Sequence, residues 1–151
     1  MRKQHLEQLK NASAGHNLIK AARLYNELMI KNLRATLGMD DIQAYHLNLF
    51  AHISLEGSTI VEIAEKVGIS KQAVSKTISE LVEMKVLQQK SHPTDKRSKI
   101  ICFPEDGPFT LEKGLKFLGE QDKMLKKILG SSSFNLFSDS VAKVILELDK
   151  P

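Results

Sequence analysis

Hydrogen-bond donors and cations recur at helical spacing over one short stretch of the sequence. They are Ser70, Lys71, Gln72, Ser75, Lys76 and Ser79. Four of them share the outward face of a helix that begins after Ser70, and Lys71 lies in its first turn. Glutamine matches the edge of adenine, lysine suits guanine or phosphate, and short hydroxyls fit either. Because the acids Glu80 and Glu83 come only at the far end, this face is suited to a polyanion.

A second cationic element follows at Ser91–Lys99, with the sequence SHPTDKRSK. The segments on either side, Val86–Lys90 and Ile100–Phe103, are predicted to be short strands, so the stretch is the tip of a hairpin. Its cations are Lys96, Arg97 and Lys99, and His92 is a fourth when it is protonated. A guanidinium at such a tip suits the negative potential of a narrow DNA minor groove, which favours Arg97. Asp95 could brace the tip by binding an arginine or backbone amides of the turn. A merely solvated loop is the alternative.

The basic excess of the chain is concentrated around these two elements. Residues 66–99 hold eight lysines and arginines and three carboxylates, a net charge of +5, whereas the whole chain carries +4. The remainder is therefore slightly acidic. Such a distribution is the electrostatic footprint of a polyanion-binding element, although a solvated basic face remains the alternative.

Capping residues and a helix-ending glycine predict the bounds of the helices that position the first element. Thr59 and Glu62 form a capping box, and Gly68 can end the helix that follows in a left-handed conformation. Ser70 then caps the next helix, and Ala64 lets the two helices approach closely. This spacing predicts a helix-turn-helix, whose second helix would enter a major groove. The predicted small core is Ile60, Ile63, Val67, Ile69, Val74, Ile78, Leu81 and Val82. A helical corner in an enzyme or a protein-binding module is the alternative.

The remaining segments are predicted to be helical. The expected helices are 6–37, with a possible break at Gly15, then 42–54, 109–129 and 134–148, the last capped by a turn at Gly130–Ser133. The predicted fold class is therefore mainly α with a small β-hairpin wing (α+β). The chain is expected to be one domain, 1–151, with a winged helix-turn-helix lobe at 42–103 and a helical dimerisation lobe formed by 1–37 and 109–151.

The order of these motifs resembles the MarR family of bacterial transcription regulators. The resemblance is carried by I-x-x-I-A-x-x-V-G-I-S-x-x-x-V-S at residues 60–75 and by D-K-R-S-K-I-I at residues 95–101. It implies a sequence-specific regulator of transcription, a repressor, in which Asp95 orients the wing and Arg97 enters the minor groove. It also implies a homodimer whose terminal helices interlock on a near-palindromic operator. A small aromatic effector in a cleft is implied as well.

Two positions depart from the family pattern. Lys85 stands where many members have Gly or Asn, so this turn could be shaped differently. After the second wing strand, Leu-Thr-x-x-Gly is replaced by Phe103–Gly107 followed by Pro108, and proline can neither cap a helix nor continue a central strand.

The apolar stripes of the terminal helices support a dimer independently, since the middle of the chain already has its own core. The first stripe is Leu18, Ala22, Tyr25, Met29 and Leu33, and the last is Val141, Val144, Ile145 and Leu148. Two recognition helices related by a two-fold axis would lie ~34–36 Å apart, one turn of DNA. A monomer whose terminal helices cover its own core is the alternative.

Other candidates are weaker. Cys102 is expected to be a buried apolar residue rather than a redox sensor, and the scattered histidines predict no metal site. Tyr25, Tyr45 and His46 are weak candidates for the effector cleft, because helix packing or a polar helix face explains each. Ser140–Lys143 matches S-x-x-K by chance. We predict no catalysis and no cofactor. A winged helix that binds protein is the alternative function.

The cellular setting is predicted from what the sequence lacks. No apolar run approaches the ~18 residues of a membrane span, and the N-terminus has no signal-peptide core. The chain is therefore expected to have no membrane partner and to be cytoplasmic, which also fits its single cysteine.

Overall fold

The computed structural model describes residues 2–95 and 97–150. Lys96, one of the predicted DNA contacts, lies outside this part of the chain. The described elements are α1 (Arg2–Ala12), α2 (Ala14–Leu37), α3 (Ala44–Phe50), β1 (Ser58–Thr59), α4 (Ile60–Val67), α5 (Lys71–Glu83), β2 (Gln88–Ser91), β3 (Lys99–Cys102), α6 (Leu111–Leu129) and α7 (Ser131–Leu148). The predicted fold class is confirmed, since the chain is mainly helical with one small antiparallel sheet. It divides into two compact units, residues 1–110 and 111–151.

The N-terminal helical segment is interrupted at a serine. The Oγ of Ser13 accepts the amide of His16 at 3.3 Å and so begins α2. The prediction of one helix with a break at Gly15 was therefore wrong by two residues, because a side chain that accepts an amide starts a helix better than a glycine does. α2 ends at Leu37, where the sequence predicted its end, and Gly38 caps it in the left-handed conformation at a φ of 64°.

α3 is shorter than the predicted helix over 42–54. Gln43 is extended and precedes the helix, and Ile42 is fully buried in the turn before it. Turns follow from Ala51. Apolar spacing overestimated the helix because residues that are buried in flanking turns continue the same pattern.

The sheet has the strand order β1-β3-β2 and is antiparallel throughout. The hairpin strands lie slightly away from their predicted bounds, because Val86 and Leu87 are buried in the turn after α5 rather than in β2. β1 was not predicted. It pairs Ser58 with Ile101, and Gly57, at a φ of 95°, makes this approach possible because a Cβ there would overlap the side chain of Ile100.

The core of the first unit lies under α4 and α5, the two helices of the predicted helix-turn-helix. Its fully buried side chains include Ile42, Ile63, Val74, Ile78, Leu81 and Ile101. Ile69, predicted to join them, is 46% exposed, because its side chain points outward after the left-handed turn at Gly68. Val82 is half-buried. The rings of Phe50, Phe103 and Phe109 form a second cluster, with centroids 6.2 Å apart.

The C-terminal unit is a pair of helices that pack on each other. α6 begins at Leu111 rather than at the predicted Phe109, which is buried in the phenylalanine cluster. α7 begins at Ser131, directly after Gly130, so the prediction that the serines form a capping turn was wrong. Gly130 has a φ of 80°, and this glycine alone makes the bend between the two helices.

Candidate nucleic-acid interface

The corner between α4 and α5 is built by the residues that the sequence marked. The Oγ1 of Thr59 accepts the amide of Glu62 at 3.2 Å, and the Glu62 carboxylate accepts the amide of Thr59 at 2.7 Å. That backbone hydrogen bond is the main reason why the pKa of Glu62 lies below its usual value. Gly68 turns the chain in a left-handed conformation at a φ of 74°, and the Oγ of Ser70 accepts the amide of Ala73 at 3.2 Å.

The outward face of α5 is exposed along its length. The predicted contact residues on it are all accessible, namely Lys71, Gln72, Ser75, Lys76 and Ser79. Ser70 is exposed too, although its hydroxyl oxygen caps the helix. The Ser79 hydroxyl donates to the carbonyl of Ser75 at 3.0 Å, which leaves its oxygen free to accept. The structure therefore brings these six residues to one surface, with Val74 and Ile78 on the opposite, buried face.

The tip of the wing is organised by hydrogen bonds from side chains to the backbone. Asp95 Oδ1 accepts the amide of Arg97 at 2.9 Å, and the carbonyl of Asp95 accepts the amide of Ser98 at 3.0 Å. Of the two partners considered for Asp95, an arginine side chain and a turn amide, this contact is with the amide. The side chains of Arg97 and Lys99 are exposed.

His92 is a second organiser of the tip that sequence reasoning missed. Its Nδ1 accepts the amide of Asp95 at 3.1 Å and that of Thr94 at 3.3 Å. The sequence had suggested His92 only as an occasional cation. The available signal was its spacing, since a polar side chain that accepts amides two and three residues later is a common way to close a turn.

The turn between α5 and the wing has an unusual backbone. Lys85 is the only non-glycine residue with a positive φ, at 56°, in the described ranges 2–95 and 97–150. The amide of Val86 donates to the carbonyl of Leu81 at 2.9 Å, which closes the end of the helix. The family pattern places Gly or Asn at this position. Lys85 thus adopts the left-handed conformation that Gly and Asn favour.

The segment that departs from the family pattern lines a cavity of about 590 Å³. Pro104 and Pro108 face Val82, Lys85 and Gln88 across it. Lys90 Nζ lies 2.7 Å from Glu105 Oε1, which ties β2 to this loop. The hydrogen bond within this pair raises the pKa of Lys90 and lowers that of Glu105.

Glu80 is held by two side chains of α3. His46 Nε2 and Tyr45 Oη lie 3.0 and 2.9 Å from the same carboxylate oxygen of Glu80. The hydrogen bond with His46 is the first cause of the lowered pKa of Glu80, and the bond with Glu80 raises the pKa of Tyr45. The interpretation of His46 as part of a polar helix face was wrong, because its side chain is only 2% exposed. Tyr25 is half-buried on α2.

The weaker candidates fall outside this surface. Cys102 is buried on β3, and the Ser140 hydroxyl donates to the carbonyl of Leu136 within α7 at 2.7 Å. Among the described residues, no group of three or more His, Cys, Asp or Glu side chains could hold a metal ion. Within the same part of the chain, none of the helices has the length and apolarity needed to cross a bilayer.

The corner, α5 and the hairpin together define a winged helix-turn-helix. Residues 37–98 match the family model for the MarR family, so the chain carries a MarR-family segment there and the predicted resemblance is confirmed. This family consists of transcription regulators, which supports the prediction that the chain is not an enzyme. Among curated proteins, no sequence matches the chain.

Solved structures extend the likeness of fold to most of the chain. A MarR/EmrR family transcriptional regulator from Acinetobacter sp. ADP1 is 24% identical, with a TM-score of 0.60 over 89% of this chain and 95% of that one. The transcriptional repressor CouR, bound to a 23-mer DNA duplex, is 21% identical, with a TM-score of 0.62 over 89% and 93%. MepR of S. aureus, in a complex with DNA, is 16% identical, with a TM-score of 0.62 over 90% and 98%.

Proposed function

We propose that the chain binds duplex DNA at specific sequences and regulates transcription, with α5 in the major groove and the wing beside the minor groove. The observation that carries the proposal is the exposed face of α5, where cations, an amide and hydroxyls lie together over the first turns and the exposed Glu83 comes only at the far end. Glu80, the other acid of α5, is engaged by Tyr45 and His46. A surface of donors is what base edges and phosphates require.

The wing supplies the second half of the contact. Arg97 is exposed at a tip that Asp95 and His92 close through turn amides, so its guanidinium extends from a defined backbone. A narrow minor groove favours such a cation. Lys96 and Lys99 add positive charge near the tip. Two structures of similar fold, CouR and MepR, are complexes with DNA, and this supports the same role here.

The functional unit that we propose is a homodimer on a near-palindromic site. Apolar side chains are exposed on the terminal helices of the single chain, including Ile19 at 75% and Leu148 at 80%. Exposed apolar surface of this kind marks an interaction site. A two-fold pair of chains would cover it and would present two copies of α5 to one face of the duplex.

The experiment that tests DNA binding is selection of bound duplexes from a random pool by the purified protein, followed by titration of the selected site. We expect a near-palindrome to be enriched and Arg97→Ala to weaken its binding by ~1–3 kcal/mol. Arg23→Ala is the matched control, because Arg23 is an exposed arginine on α2, outside the winged helix. Affinity should also fall steeply with salt, since phosphate contacts release counterions.

Three outcomes would contradict parts of this proposal. If duplexes are retained in a salt-sensitive way but no sequence is enriched, the claim of sequence-specific binding is wrong. If Arg97→Ala and Arg23→Ala lose equal affinity for the selected duplex, the proposed contact of the wing with DNA is wrong. An absence of duplex binding, together with capture of a defined protein partner, would favour the alternative of a protein-binding winged helix. Sedimentation of the free protein tests the dimer separately, and a monomer would contradict it.

The regulatory part of the proposal is repression by exclusion of polymerase, with release by a small aromatic ligand. The name of CouR as a repressor supports the first half. The second half rests on the resemblance to the family, because the open groove beside the end of α5 is lined by none of the cleft candidates Tyr25, Tyr45 and His46. A panel of aromatic carboxylates titrated against the protein–DNA complex tests release. If no compound releases the DNA, the proposal of an aromatic effector is wrong, whereas the proposal of DNA binding is unaffected.

A further inference from the structure

A nearly buried hydrogen bond between His46 and Glu80 joins α3 to α5, the helix that we propose enters the major groove. The His46 side chain is 2% exposed, and its Nε2 lies 3.0 Å from Glu80 Oε2. Tyr45 donates to the same oxygen at 2.9 Å, and its ring lies 4.3 Å from the imidazole ring, centroid to centroid. Glu80 stands on α5 between the exposed Ser79 and the buried Leu81. Its carboxylate is therefore held at the boundary between the core and the exposed face of that helix.

The other nitrogen of His46 fixes the tautomer of the ring. The backbone amide of Gln43 donates to Nδ1 at 3.0 Å, so Nδ1 must present a lone pair. The proton of the neutral imidazole is then on Nε2, where it can donate to the Glu80 carboxylate. A doubly protonated ring would place an N–H of Nδ1 against the N–H of Gln43. The start of α3 thus selects the one form of His46 that both accepts from Gln43 and donates to Glu80.

We propose that His46 is a positioning residue for DNA recognition: in its Nε2–H form it holds Glu80 and so fixes the rotation of α5 about its own axis. The proposal rests on the proposed function and adds a residue to it that touches no DNA. Rotation matters because a turn about the helix axis moves Gln72 and Lys76 away from the base edges together.

The bond also keeps a carboxylate away from a DNA-contacting cation. Lys76 lies one helical turn before Glu80, at a spacing where a lysine and a glutamate can pair on a helix surface. The positive charge of Lys76 already contributes to the lowered pKa of Glu80. If His46 no longer held it, Glu80 could turn towards Lys76 and compete with phosphate for that ammonium group.

The test compares two substitutions of His46 by titration with the selected duplex. Leucine fills the buried space but can make neither bond, whereas glutamine offers one acceptor and one donor, as the neutral imidazole does. We expect His46→Leu to lose roughly tenfold in specific affinity, at a temperature where it is fully folded, and His46→Gln to recover most of it. Glu80→Ala and the double variant complete a cycle, in which non-additive losses are expected because both residues act through one bond.

A DNA-independent measurement separates this proposal from the proposed function. Long-range 1H–15N NMR spectra of the free protein report which nitrogen of His46 carries the proton, and we expect Nε2–H at neutral pH. An Nδ1–H tautomer, equal affinities for His46→Leu and His46→Gln, or additive losses in the cycle would each overturn the positioning role. If the wild-type protein binds no duplex, the proposed function fails, while the spectra still decide whether this contact exists. Should His46→Leu not fold, the spectra and the comparison of Glu80→Gln with Glu80→Ala decide.

Discussion

The corner between α4 and α5 and the tip of the wing would both face DNA, yet they are held in different ways. The corner has Ile63, Val74 and Ile78 fully buried beneath it. The tip, over its described residues 92–95 and 97–98, has no buried side chain and depends on amides accepted by His92 and Asp95. Burial of a large apolar side chain contributes a few kcal/mol, whereas a single exposed hydrogen bond contributes ~1 kcal/mol or less.

Mutations in the corner and at the tip should therefore differ in whether they reduce the free energy of unfolding or only the affinity for DNA. A change in the core of the corner should reduce the free energy of unfolding, and DNA binding would be lost with the fold. A change at the tip should leave the free energy of unfolding nearly untouched and reduce only affinity.

The largest effect is expected at Ile78, on the buried side of α5. Ile78→Ala should lower the free energy of unfolding by ~2–5 kcal/mol, because it removes buried methyl groups and leaves a cavity. Urea denaturation measures the change. Ile69→Ala is the control, because Ile69 belongs to the same corner but is 46% exposed, and it should cost less than half as much. Similar losses for both would show that the corner is not held by its core.

At the wing, Asp95→Ala should reduce affinity for the selected duplex by ~1 kcal/mol, because the amide of Arg97 loses its acceptor. The free energy of unfolding should change by less than ~0.5 kcal/mol, as for most exposed positions. Titration and urea denaturation of the same sample measure the two quantities. Asp106→Ala, on the exposed loop after β3, controls for loss of a negative charge. A drop in stability equal to that in affinity would mean that the wing shares the core of the corner.

The sequence predicted the corner almost residue by residue because its signals are local. Thr59 with Glu62, Gly68 and Ser70 each act within one turn of helix, so a short window of sequence contains the whole interaction. Ile69 was misplaced for a local reason too, since the left-handed turn before it reverses the face that a regular helix would predict.

Contacts between distant segments could not be predicted in the same way. β1 consists of two residues, too few for an alternating pattern, and exists because Ser58 meets Ile101. The bond from His46 to Glu80 joins two helices that are separated by the whole of α4. Nothing near His46 in the sequence indicates a buried partner, so only the fold reveals it. The predicted roles of Arg97, Ser70 and the five residues of α5 in DNA binding remain predictions.

A smaller effect, of opposite sign, is expected where the corner meets the wing. Lys85→Gly should raise the free energy of unfolding by ~0.5–1 kcal/mol, because glycine adopts a φ of 56° without the steric cost that a lysine bears. Lys66→Gly, in the last turn of α4, should instead lower it by about as much. Urea denaturation of both variants checks the contrast. A loss at Lys85 would show that its side chain stabilises the turn through other contacts.

The smallest effect is the contribution of Glu62, in the corner, to the dependence of stability on pH. The folded pKa of Glu62 lies below its unfolded value of about 4.5, chiefly through the amide of Thr59. The unfolded chain therefore takes up the proton first on acidification, so this contribution is fully present above the unfolded pKa and is lost as the pH falls through the folded one. Glu62→Gln should flatten the acid side of a plot of unfolding free energy against pH, measured in urea from about pH 6 to about pH 3. Glu65→Gln, on the same helix, is the matched control for the loss of one carboxylate. The slope that remains in Glu62→Gln should come from Glu80 and Glu105, whose pKa values are lowered chiefly by hydrogen bonds with His46 and Lys90, so a flat profile after the single change would argue against both contacts.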